Sequence, residues 1–288
     1  MKIIAFGDIE KTEYLEKLLK LDFSKYDFIL LTGDYSATSE GWKIGRARGM
    51  NDKNFIPKGK EPKQYYEELK QPLIEKFKKV NKVLGKIKKN TKVFGIYGNA
   101  DFESVVNKVK VKNIEIIHNR VVEIGNFCLV GYNGHPMYPW EIKHPQNKDI
   151  FGFTYQEIAK DLHSFKEEQI YSDLKKVIKN IPSERLILVT HTPPYKILDK
   201  VLPKMTDWAL KSYGEKSREG NIGSSGLRDF ILEYEPLLSV FGHIHEGKGI
   251  KKIDGTTCIN VGKFGENKEF MHIEIQNKEL KCEFRRIN

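Results

Sequence analysis

The sequence has 288 residues, 39% hydrophobic and 31% charged, which is enough apolar material for a sizeable core in one large domain or two modest ones. No run of about 18 consecutive apolar residues argues for a membrane span, and three widely spaced cysteines (Cys128, Cys258, Cys282) exclude a disulfide scaffold or a thiolate zinc site. A net charge of +10 invites a nucleic-acid partner, but the charge comes mostly from lysines spread over helical faces, so such a partner is possible and not favoured.

In chain order, the short apolar run Ile3–Phe6 ends at Gly7-Asp8 and is a first strand, too short for a signal segment. The expectation is a cytoplasmic protein without a membrane partner. A helical pattern covers Glu10–Lys20, and a strand, Phe28–Leu31, runs into Thr32-Gly33-Asp34. Residues 35–61 are polar, basic and unassigned. A long helix spans Pro62–Lys89, with Phe77, Val80, Leu84 and Ile87 at helical spacing and lysines on the other sides, a solvated face. Val93–Tyr97 is a strand before Gly98-Asn99. Val121–Ile124 and Phe127–Val130 flank the turn signal Gly125-Asn126. Residues 133–153, with three prolines, form a second unassigned stretch, and a helix follows over Tyr155–Asn180. Leu186–Val189 leads to Thr190-His191. Residues 195–222 are a long link, Ser225–Tyr234 a helix, and Leu237–Phe241 a strand ending at Gly242-His243. Alternating segments close the chain at Lys248–Ile253, Thr256–Val261, Phe270–Ile275 and Leu280–Arg285, the first two joined at Asp254-Gly255.

Strands alternating with helices point to an α/β architecture, with mixed sheets covered by helices. The unassigned stretches follow strands, so they are expected to rim a site. More telling is what ends the strands. Asp8, Asp34, Asn99, His191, His243 and His245 each follow an apolar run, so one sheet edge would gather all six, where ligand sites lie in α/β sheets. Carboxylate and amide oxygens mixed with imidazoles suit manganese, iron or zinc, and a carboxylate such as Asp34 can bridge two cations. Any one of these residues alone is ordinary; a single histidine is more often a structural group.

From Gly7-Asp8 through Gly33-Asp34, Gly98-Asn99 and Thr190-His191 to Gly242-His243-Ile244-His245, the chain resembles the calcineurin-like metallophosphoesterase family over essentially its whole length. Asn221–Arg228 and Phe241–Gly247 are similar to the subgroup of mammalian metallophosphoesterase-domain proteins. The resemblance implies a four-layer αββα sandwich of two mixed sheets flanked by helices, with the metal site at strand C-terminal ends. It implies one domain over 1–288, with insertions near 35–61, 133–153 and 195–222. It further implies a phosphoesterase holding two divalent ions (manganese favoured; iron, nickel or zinc otherwise). Asp8 and His245 would hold the first and Asp34 would bridge. Asn99, His191 and His243 would hold the second, with Asn99 also contacting substrate. A hydroxide shared by the ions would attack phosphorus.

Two positions depart from the family pattern. The first motif usually ends in histidine; here Glu10 stands there, either a further ligand or the opening of the following helix. The second, Ala100, replaces the histidine that usually protonates the leaving oxygen, so Asp101 and His135 become the candidate acids. Phosphodiesters are therefore expected over monoesters, with a small phosphate ester or nucleotide as substrate. Arg46 and Arg48, with Trp42, Tyr138 and Trp140, are expected to bind it. The alternatives are a nuclease of the same metal chemistry and a non-catalytic scaffold.

Overall fold

The computed structural model describes residues 1–50, 53–89, 91–265, 268–276 and 279–287. Fourteen strands are described: β1 (Lys2–Phe6), β2 (Phe28–Leu31), β3 (Lys92–Gly95), β4 (Glu115–Ile116), β5 (Val121–Ile124), β6 (Phe127–Tyr132), β7 (His135–Pro136), β8 (Ser164–Phe165), β9 (Leu186–Thr190), β10 (Leu238–Phe241), β11 (Gly249–Ile253), β12 (Thr256–Asn260), β13 (Glu269–Gln276) and β14 (Glu279–Arg286). The helices are α1 (Thr12–Lys17), α2 (Ser39–Met50), α3 (Pro62–Ile87), α4 (Glu103–Val109), α5 (Pro139–Lys143), α6 (Tyr155–Asp161), α7 (Glu167–Val177), α8 (Thr206–Tyr213) and α9 (Ser225–Tyr234).

Two six-stranded sheets run in the orders β14-β13-β1-β2-β3-β4 and β11-β12-β10-β9-β6-β5. In each the central strands are parallel and the antiparallel partners lie toward the edges. The period of two along β1 shows how layers arise from sequence. Ile3 and Ala5 join Phe28, Leu30, Leu129, Ile187, Val189 and Val240 between the sheets. Ile4 and Phe6 point the other way, onto the side packed by Leu15, Leu73, Phe77, Val80 and Leu84 of α1 and α3. The outer face of the second sheet is covered by α7 and α9 through Ile170, Leu174, Leu227 and Phe230. With both faces buried, the parallel strands must be apolar throughout, which is why these runs do not alternate. The result is the helix–sheet–sheet–helix sandwich with mixed sheets.

Several local expectations change. Residues 35–61 carry α2, whose start is capped when Thr38 Oγ1 accepts from Gly41 N at 3.2 Å. Gly41, Gly45 and Gly49 had hidden its helical pattern by lowering propensity. Residues 133–153 contain β7 and α5, and 195–222 contain α8. The expected helix over Tyr155–Asn180 is two helices, because the chain turns at His163 (φ +53°) and lays β8 beside β7. That pairing is tertiary and leaves no local mark. The long helix ends at Ile87, and Glu10 lies ahead of α1. The three cysteines are free thiols.

Candidate metal centre

At the carboxyl ends of β1, β2 and β10 the backbone turns sharply, with Asp8, Asp34 and His243 at φ +48°, +58° and +64°. Left-handed geometry is unfavourable for residues with a Cβ and persists where the surroundings over-determine it. Here they do. Asp8 N donates to Gly33 O at 2.9 Å, Ile9 N to Asp34 O at 3.0 Å, and Gly242 N to His191 O at 3.0 Å, so neighbouring strand ends are stitched together past the regular ladder. The preceding glycines permit close approach as well as turning. A Cβ on Gly33 would sit 2.5 Å from Gly98 N, and one on Gly242 would sit 2.3 Å from Asp8 Oδ2.

These turns bring six side chains together from both sheets. Ligand atoms of Asp8, Asp34 and His191 lie within 4.8 Å of one another. Asn99 Oδ1 is 2.8 Å from His191 Nε2, His243 Nδ1 is 3.1 Å from the same nitrogen, and Asp34 Oδ1 is 3.5 Å from it. His245 Nε2 lies 3.0 Å from Asp8 Oδ1. Asp34 Oδ1 also accepts from Ala100 N at 2.8 Å.

The tautomer of His191 makes this crowding informative. Its Nδ1 donates to the backbone carbonyl of Thr32 at 2.8 Å, so in the neutral ring it is Nε2 that presents the lone pair. That lone pair faces an amide oxygen and a carboxylate oxygen. Such an arrangement is repulsive alone and becomes coordination when a divalent cation sits among the atoms. Burial, reinforced by His191, His135 and His245, holds His243 well below the ordinary imidazole value, so it is a neutral donor. Burial raises the Asp34 carboxyl, and the Asp8 charge adds to this. Burial would raise Asp8 too, but His245 outweighs it and holds that carboxyl low. The donor set fits hard-to-borderline divalent metals.

Other expected site residues lie elsewhere. Glu10 is half exposed and its carboxylate pairs with Lys263 at 2.9 Å, outside the group of converging ligand atoms. The Asp101 carboxylate is taken up by backbone donors: it accepts from the N–H of Asp34 (2.7 Å), Tyr35 (2.7 Å), Ser36 (3.0 Å) and Gly98 (3.0 Å). It holds the Asp34 turn in its strained form. His135 is stacked beside His243, yet Nδ1 donates to Pro136 O at 2.7 Å and Nε2 meets Ser164 Oγ at 3.1 Å. Burial lowers its pKa to about 3, so neither nitrogen carries a mobile proton at neutral pH. Arg48 is buried and bound to Asp149 at 3.1 Å, inside the fold; Arg46 and Trp42 lie on the exposed surface of α2. Tyr138 is enclosed by Trp140 (5.3 Å, stacked), Tyr213 and His135.

Lys76 was missed. From within the lysine-rich helix α3 it donates to the carbonyls of Glu10 (2.8 Å) and Ala37, clamping the Asp8 and Asp34 loops. Its only sequence signal is a position one residue before the core residue Phe77, at the margin of the buried stripe.

A two-sheet sandwich that gathers carboxylate, amide and imidazole donors at its strand ends defines a metal-dependent hydrolase class. Calcineurin-like phosphoesterase is the family whose pattern matches residues 1–247, and the chain belongs to it. The chain is 25% identical over 170 residues to the uncharacterized protein MJ1162 of Methanocaldococcus jannaschii, a match covering 58% of this chain and 62% of that one. One solved structure superposes with a TM-score of 0.66 at 18% identity, covering 100% of this chain and 99% of that chain. A dimetal phosphatase from Danio rerio superposes at 0.53 with 10% identity, covering 100% and 96%. At such identities the likeness is one of fold.

Proposed function

We propose that the protein is a metal-dependent phosphoester hydrolase working with two divalent cations, and that it prefers diesters to monoesters. The observation that carries this is the set of lone pairs from Asp8, Asp34, Asn99, His191, His243 and His245 meeting at the joint edge of both sheets. Cations bound there supply charge neutralisation and water of lowered pKa. The protein's part is to hold those donors fixed, through Thr32 O on His191, Ala100 N on Asp34 and the Asp101 carboxylate behind the Asp34 turn. The Danio rerio phosphatase, by its name a dimetal protein, supports the pair of ions.

The expected dependence on the leaving group rests on missing acid chemistry. Position 100 offers a backbone N–H and a methyl group, Asp101 is occupied by four N–H donors, and both His135 nitrogens are bonded. Acid assistance is worth about 10²–10⁴-fold, so esters whose leaving group departs unprotonated, such as p-nitrophenyl esters, should turn over well above alkyl esters. The deciding experiment loads purified protein with manganese and compares aryl phosphomonoesters, aryl diesters, cyclic nucleotides and short oligonucleotides. Turnover of aryl diesters above monoesters is expected. No turnover of any aryl ester with manganese, nickel, cobalt or iron would overturn the reading.

A further inference from the structure

Two buried or part-buried cations, Arg48 and Lys76, are taken up by the fold itself: Arg48 by Asp149 and Asp161, and Lys76 by two backbone carbonyls. Lys263 is placed differently. It follows β12, where the chain lies against the Asp8 loop. Phe264 N donates to Gly7 O at 3.1 Å, Glu10 N donates back to Phe264 O at 3.1 Å, and the Phe264 ring packs on Phe6 with centroids 4.8 Å apart. The backbone of Lys263 is thereby fixed beside Asp8-Ile9-Glu10. Its ammonium lies 2.9 Å from Glu10 Oε1, on side chains that remain 22% and 45% exposed. His245 Nε2 lies 3.0 Å from Asp8 Oδ1, on the residue that this same loop carries.

We infer that Lys263 binds a non-bridging oxygen of the substrate's phosphoryl group on the Asp8–His245 side of the centre, with Glu10 holding the ammonium in place until substrate arrives. The inference rests on the phosphoesterase reading and adds an anion-binding residue to it. Three features favour it. The Glu10–Lys263 pair is open to water, where an ion pair contributes little, so exchanging a carboxylate for a phosphate oxygen is inexpensive. A lysine is a compact point charge that accepts phosphate from several directions. The residue after Lys263, Phe264, bonds to the Asp8 loop through both its backbone N–H and its carbonyl, which keeps the lysine's backbone beside that loop.

The test measures two affinities on each protein, manganese on the metal-free form and inorganic phosphate on the manganese-loaded form, by calorimetry. Lys263→Met is expected to weaken phosphate binding about tenfold, the size of one charge-assisted hydrogen bond, and to raise KM for an aryl phosphate, with manganese affinity unchanged. Lys263→Arg should restore phosphate binding. Glu10→Gln should keep manganese affinity and hold phosphate at least as well as wild type. Wild-type protein that takes up no manganese removes the functional reading and this inference with it. If wild type binds manganese and Lys263→Met binds phosphate as tightly as wild type, this inference alone falls. Weakened manganese binding in Glu10→Gln also overturns it, because Glu10 would then serve the metal.

Discussion

At the scale of single residues, the site shows strain held by hydrogen bonds. Asp34 adopts its left-handed turn because Asp101 collects the backbone donors around it, and its carboxylate then faces the His191 lone pair. Replacing Asp34 or His243 by alanine removes a donor from the centre; metal content by elemental analysis is expected to fall in each variant, and unchanged content in both would show the ligands misassigned. Glu141 offers a separate test away from the centre. Burial pushes its carboxyl up to about 8, against the ordinary 4.5, although Tyr138 N and Ser164 donate to it. The folded state therefore binds this proton more tightly than the unfolded state. The stabilisation is complete below about pH 4.5 and is lost as pH rises toward 8. Glu141→Gln should flatten that part of the stability–pH curve and raise Tm at pH 8 relative to wild type, as thermal melts across pH would record.

At the scale of elements, the segments without clear pattern turn out to be joined to one another. Arg48 of α2 reaches Asp149 at 3.1 Å and Asp161 of α6 at 3.8 Å, with its guanidinium over the rings of Tyr66 in α3 and Phe102. Tyr66 OH in turn donates to Asp161 at 2.5 Å, and Asp161 accepts from Ser104 N at the start of α4. One buried guanidinium thus pins five parts of the chain. Removing one partner of a buried pair leaves uncompensated charge and costs about 3–5 kcal/mol. Arg48→Ala is expected to lose that much in a denaturant melt; a loss below about 1 kcal/mol would show the network dispensable. The 195–222 segment is tied differently. Val201, Ala209, Tyr213 and Ile222 pack on Ile244, the residue between two metal-ligand candidates. Asn260 Nδ2 also donates to both Leu198 O and Ile244 O at 2.9 Å.

At the scale of the whole molecule, part of the positive charge on and around α3 is paired with acidic side chains. Lys60 pairs with Glu68, Lys70 and Lys108 with Glu67, and Lys78 with Glu75. Acidic partners spaced along the helix dilute the field that phosphate backbones would meet. Oligonucleotide binding is therefore expected to show a shallow salt dependence, with a log–log slope weaker than about −2. A slope near −6, the mark of many released counterions, would favour the nuclease alternative. Among the described residues no helix is long and apolar enough to cross a membrane.

The sequence by itself determined the longer strands and the six candidate ligands, because apolar runs of fixed length and the polar residues that end them are local signals; the short strands β4, β7 and β8 and the strand order within the sheets were not legible. Hairpin turns at Gly125-Asn126 and Asp254-Gly255 were legible for the same reason and join β5 to β6 and β11 to β12. Only the tertiary structure decided what surrounds those ligands. Arg48 and Arg46 look alike in a string of letters, yet one is buried against Asp149 and the other faces outward. Asp101 looks like an acid until the N–H groups from residues 34–36 are brought to it. Glu10 and Lys263 are 253 positions apart and meet because the segment after β12 lies along the Asp8 loop. Side-chain identity fixes which chemistry a residue can do; which partner it faces is set by long-range packing, and that information is absent from any local window of the chain.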